Sequence, residues 1–196
     1  AKQLSAGVLP IAAVMMNQRV YDVLRDNSAK NVVFGHGITY SGHPACAAVA
    51  LETLNIYEER KIVERVRALA PHFLKRLHSF ADHPLVGECR GVGLVAAIEL
   101  VKNKATHESF DASLAVGANL VRFAHEYGLI IRPVVDSLAI CPPLISTEAE
   151  IDSLFDRFAK ALADTQAWLQ QGGHLPAAGL LEFMARNGAG EPQWPR

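Results

Sequence analysis

The stretch Gly35-His36-Gly37-Ile38-Thr39-Tyr40-Ser41-Gly42-His43-Pro44 constrains this chain more than any other. Three glycines within eight positions open backbone conformations closed to residues with a Cβ and allow close approach to another group. Thr39, Tyr40 and Ser41 set three hydroxyls among them. Pro44, favoured in a first helical turn, precedes the small-residue run Ala45-Cys46-Ala47-Ala48-Val49-Ala50-Leu51. A helix is therefore expected from Pro44, with Gly42 or His43 at its mouth. Backbone N–H groups at such an entrance, with hydroxyls beside them, make a cradle for a phosphate. The same Gly/Ser/Thr composition also makes an ordinary turn, and the stretch alone supports both readings.

The remaining composition narrows the class of partner. A net charge of −1 without a Lys/Arg cluster argues against nucleic acid or an anionic membrane. Cys46, Cys89 and Cys141 are widely spaced with no C-x-x-C pair, so free, mostly buried thiols in a reducing, cytoplasmic compartment are expected. The eight histidines show neither H-x-x-x-H nor H-E-x-x-H, so no metal site is expected. Asn31–Leu51 is the longest stretch without a charged side chain, yet its glycines and Pro44 rule out a membrane span. With 196 residues, half of them hydrophobic, the chain has material for one sizeable core or two small ones. It opens Ala1-Lys2 without methionine, which reads as though an N-terminal portion were missing.

Periodicity gives the expected elements. Residues 1–14 read as a loop leading into a short buried strand, and Asn17–Asp26 as a short helix capped by Asn17. Leu51 and Leu54 on the Pro44 helix are expected to cover core. Ile62, Val66, Leu69, Phe73, Leu74 and Leu77 mark an amphipathic helix that Pro71 should kink or interrupt. A hinge is expected at Asp82-His83-Pro84. Val86–Val101 then reads as a hairpin, within which Arg90-Gly91-Val92-Gly93 lacks the full dinucleotide-binding pattern. Phe110–Tyr127 reads as a helix closed by Gly128, and Leu129–Val134 and Leu138–Cys141 as strands. Arg132 falls inside an apolar strand, where a guanidinium is costly unless an anion meets it; a structural salt bridge would serve equally. Thr147 and Glu150 form a capping box opening the last helix, which Ile151, Leu154, Phe155, Phe158, Leu162 and Leu169 should pack on a small sheet. Residues 170–196 read as a poorly ordered tail.

Three blocks together resemble the class III (omega-type) aminotransferases, over roughly Ala1–Trp168. They are Ala1-Lys2-Gln3-Leu4 with the glycine and proline that follow, the Thr39 stretch, and Leu129–Leu144 with Arg132 and its Pro-Pro-Leu. The resemblance implies an α/β chain: the end of the large domain (1–82), then the small C-terminal α+β domain (83–169) of a fold-type I pyridoxal-phosphate transferase. It implies pyridoxal 5′-phosphate as cofactor, held as a Schiff base on Lys2, the catalytic residue. Thr39 would bind the cofactor phosphate of the neighbouring subunit in a homodimer or higher oligomer. Arg132 would hold the carboxylate of an amino or keto acid substrate. The reaction implied moves an amino group from an amine or omega-amino acid donor to a keto acid such as pyruvate. In that family the phosphate loop, the ring-stacking aromatic and the pyridine-pairing aspartate precede the lysine. An isolated chain is thus expected to bind cofactor weakly, and a noncatalytic remnant domain is the alternative reading.

Overall fold

Apolar residues at helical and then alternating spacing after residue 61 assemble around one sheet. In the computed structural model, which describes residues 4–31 and 34–175, the chain divides into two compact units, Ala1–Lys61 and Ile62–Arg196.

The first unit contains two helices, α1 (Gln18–Ser28) and α2 (Pro44–Glu59). Asn17 caps α1 by accepting from the Val20 N–H at 3.0 Å. α2 starts at Pro44 as expected, with His43 at the cap position. Leu51 and Leu54, expected to cover core, are instead exposed, as is Val14 at the end of the expected buried strand. No strand forms there: among the described residues of this unit, neither a partner strand nor a core reaches them, and only Ser5, Ala50 and Thr53 are buried.

The second unit holds the core. α3 (Ile62–His78) runs through Pro71 without interruption; Pro71 is exposed, and buried Leu69, Phe73 and Leu77 offset the lost backbone bond. β1 (Val86–Val92) and β2 (Val95–Leu100) form the expected antiparallel hairpin. The expected single helix over 110–127 is split into one 3-10 turn, Ala112–Leu114, and α4 (Val116–Glu126). Ala115 breaks it by adopting φ 46°, ψ 49°. β3 (Arg132–Val134) and β4 (Ser137–Ile140) complete a sheet of order β1-β2-β4-β3, and α5 (Glu148–Gln171) follows. Ala96, Ile98, Leu138 and Ile140 alternate onto one buried face, with Ala96 opposite Ile140 and Ile98 opposite Leu138.

α5 carries the expected capping box, Thr147 and Glu150 satisfying each other's backbone N–H groups. Its Ile151, Phe155, Phe158, Leu162 and Leu169 are fully buried in the same cluster as the sheet residues. Polar contacts tie the helices together at the rim. His72 Nε2 lies 2.9 Å from Asp152 Oδ1 between α3 and α5, and the Arg157 guanidinium donates to the Tyr127 and Gly128 carbonyls at 2.9 and 3.1 Å. The latter closes the C-terminus of α4, where Leu129 N–H also returns to the Ala124 carbonyl. The unit boundary at Lys61/Ile62 lies ahead of the expected break after residue 82 because α3 packs on β1 and α5.

His83, before Pro84, is fully buried, and its Nδ1 accepts the Leu85 N–H at 3.2 Å. Burial first, and then the charge of Lys104, push its pKa down from 6.5 to about 3. A depressed folded value means that this histidine adds stability above the unfolded pKa, and that the contribution is lost as pH falls from about 6.5 toward 3. In that window His83 is expected to contribute a slope of up to about 1.4 kcal/mol per pH unit. Urea denaturation across pH should show it, and His83→Gln should flatten it.

Candidate functional site

The glycine-rich stretch folds into a turn that opens onto α2. The Ser41 N–H donates to the Ile38 carbonyl at 2.9 Å, while the Ser41 hydroxyl accepts from the Ile38 N–H at 3.2 Å. Gly42 follows at φ 71°, a conformation costly for any residue with a Cβ. His43 supplies no side-chain bond to the helix start, so the first N–H groups of α2 lack a side-chain cap. Ser41 is spent inside the turn. Thr39, in contrast, is exposed and bonds to no other described residue, leaving its hydroxyl and an uncapped helix end on one short segment. A cleft of about 990 Å³ adjoins this turn, lined by Leu9, Pro10, Ile38, Tyr40, His43 and Cys46 among others. Its size and largely apolar lining suit a cofactor-sized molecule. A free hydroxyl beside glycines and bare helix amides fits a phosphate group.

Arg132 begins β3, a strand at the end of the sheet. It is exposed rather than half-buried, so the desolvation cost argued from its apolar neighbours does not arise. No hydrogen bond or ion pair joins its guanidinium to another described residue, and the fork is available to a carboxylate.

The turn following β3 was not marked by the sequence as anything but a connection. Val135 takes φ 56°, an outlier for a β-branched residue. Asp136 Oδ1 accepts the Gly117 N–H at 3.0 Å, and the Asp136 carbonyl accepts the Leu100 N–H at 2.9 Å. Ala115, at the cap position of α4, has no side chain able to cap; Asp136 performs that role, nineteen positions beyond the Gly117 whose N–H it accepts. Aspartate in a turn ordinarily bonds its own backbone, so sequence carries no signal for this longer reach.

Other titratable groups are poor candidates for chemistry. Burial pushes the Cys89 thiol up to about 11, leaving it protonated and inert near neutrality. Tyr127, raised to about 12 by burial and by its 2.7 Å bond to Asp164, is a fixed donor. Cys46 and Cys89 are half-buried and Cys141 exposed, all as free thiols. Among the described residues no cluster of His, Cys, Asp or Glu is arranged to hold a metal, and no helix is long and apolar enough to cross a membrane.

Of the residues singled out by sequence, Lys2 lies outside the described residues. Thr39 belongs to the first unit and Arg132 to the second, each described within its own unit.

The sequence model of the family described as "Aminotransferase class-III" matches residues 1–162. A chloroplastic gamma aminobutyrate transaminase 3 of Solanum lycopersicum is 42% identical over 166 residues, covering 85% of this chain and 32% of the relative. The putrescine–pyruvate aminotransferase of Pseudomonas aeruginosa is 46% identical over 168 residues, covering 85% of this chain and 36% of its own. Among solved structures, an omega transaminase from Pseudomonas jessenii in complex with PMP superposes with a TM-score of 0.80 at 43% identity, covering 88% of this chain and 38% of that one. The chain thus spans about a third of the length of the curated relatives it matches.

Proposed function

The chain belongs to the class III aminotransferases, and on that premise we propose that it carries the catalytic lysine, a phosphate-binding threonine and a substrate-binding arginine of a pyridoxal-phosphate-dependent transaminase. The family match over residues 1–162 is the observation that carries this reading. Its structural neighbours are omega transaminases, fold-type I pyridoxal-phosphate enzymes, of which this mixed helix-and-sheet chain covers about 40%. Pyridoxal phosphate, when bound, supplies an aldehyde carbon for an amino group and an electron-withdrawing ring.

This chain's residues do the rest. The Lys2 amine holds the cofactor and, once released, carries a proton between the substrate carbon and the cofactor. The Thr39 hydroxyl donates to a cofactor phosphate at the mouth of α2, and the partner copy receives this contact in a homodimer. Exposed Val14, Met15, Ile38, Tyr40, Leu51 and Leu54 on the first unit support such an interface. Arg132 clasps the carboxylate of an amino or keto acid through two parallel N–H bonds. The amino donor is an amine or omega-amino acid and the acceptor a keto acid such as pyruvate; the putrescine–pyruvate relative supports the pairing. Residues 1–82 form the end of the large domain, α3 its connection to the small domain of 83–169, and free Cys46, Cys89 and Cys141 support a cytoplasmic setting.

Borohydride reduction of the cofactor-loaded protein, followed by peptide mass spectrometry, tests the reading. A pyridoxyl mass on Lys2 is expected. Its absence from Lys2 in an assembly that binds the cofactor leaves a noncatalytic folded domain.

A further inference from the structure

We infer that Asp136 is a positioning residue for Arg132: by capping α4 it locks the β3–β4 turn and fixes the edge strand that carries the guanidinium. This rests on the substrate-binding role proposed for Arg132.

β3 has three residues and, among the described residues, pairs only with β4, so the ladder alone gives Arg132 little purchase. The connecting turn has two residues, and Val135 at φ 56° strains it. Such a conformation persists only where its surroundings over-determine it. Asp136 provides that constraint from two sides. Its carboxylate is bound by the Gly117 N–H at the start of α4, where a negative charge is also favoured, and its carbonyl by the Leu100 N–H at the end of β2. The fit is close: a Cβ at Gly117 would lie 2.1 Å from the Val135 carbonyl oxygen, so only glycine lets the turn sit against the helix. The Arg132 guanidinium bonds to no other described residue, which leaves the backbone of β3 as what sets its position. A bidentate contact tolerates about 0.5 Å of misplacement, so loosening this turn reads out at the substrate carboxylate.

Two donors of equal carbon count separate this from a general loss of structure: 4-aminobutyrate, which has a carboxylate, and 1,4-diaminobutane, which has none. In the holoenzyme, Asp136→Ala is expected to raise KM for 4-aminobutyrate about tenfold at unchanged kcat, while 1,4-diaminobutane changes less than about twofold. Asp136→Asn keeps an oxygen for the Gly117 N–H and should restore most of the loss. In an Arg132→Ala background, Asp136→Ala should add nothing further for 4-aminobutyrate. An equal loss for both donors, or an Asp136→Ala protein that does not fold, makes Asp136 merely structural and overturns the proposal alone. Unchanged 4-aminobutyrate kinetics in Arg132→Ala overturn the role of Arg132 and this proposal with it.

Discussion

Lys2→Ala is expected to lower kcat of the holoenzyme by at least about a thousandfold, because in the role proposed for Lys2 it removes both the covalent anchor of the cofactor and the base that moves the proton. No other side chain near it in sequence offers a replacement amine: Gln3, Leu4 and Ser5 follow, and Ser5 is buried with its hydroxyl bonded to the Leu9 carbonyl. The variant should still retain cofactor through contacts such as that of Thr39, only without the reducible bond. Borohydride should then leave no pyridoxyl adduct, and a small external amine should recover part of the rate. Stopped-flow absorbance of the first half-reaction checks this directly. A variant within tenfold of the parent would remove Lys2 from the chemistry, whatever the family match.

Phe155→Ala should destabilise the second unit by about 3–5 kcal/mol. The Phe155 side chain is wholly buried, with its ring centroid 5.4 Å from that of Phe73 on α3 and 5.9 Å from that of Phe80. Phe80 in turn meets Phe158 edge-on at 5.1 Å, so one ring network joins α3, α5 and the segment leading to β1. Truncation leaves a void that two helices and a sheet cannot close without moving. Denaturant titration should show the loss as a lower midpoint at unchanged slope, with a melting temperature about 10 °C lower or more. Val63→Ala, on the exposed side of α3, should change stability by less than about 0.5 kcal/mol. A Phe155→Ala effect no larger than this control would mean that the ring cluster does not hold the unit together.

Where local chemistry alone decides the structure, the residues announced it. Thr147 and Glu150 specify the start of α5 without tertiary help, and Pro44 does the same for α2. The 86–101 hairpin follows from alternation interrupted by glycine. Elsewhere the deciding partner is distant in sequence. Ala115 is a residue of high helix propensity, and nothing in its identity foretells the left-handed backbone that ends the 3-10 turn. Pro71 is tolerated because Leu69, Phe73 and Leu77 are already committed to the core. Leu51 and Leu54 form an apolar stripe legible as an inward face, yet among the described residues nothing covers them. The pattern records that a surface is to be buried, not by what. The site divides the same way. The roles proposed for Lys2, Thr39 and Arg132 come from motif wording, whereas the Asp136–Gly117 contact depends on how β3, β4 and α4 meet and has no local mark.

The strand that carries Arg132 also determines what the sheet does not become. It ends one side of the order β1-β2-β4-β3, offers three residues, and has Pro133 at its centre with no N–H to lend. With an exposed cation beside that proline, an incoming extended peptide finds neither a continuous row of donors nor a neutral rim. This side of the unit is therefore closed to templated fibril growth, even though Val134 and Val135 expose apolar surface next to it.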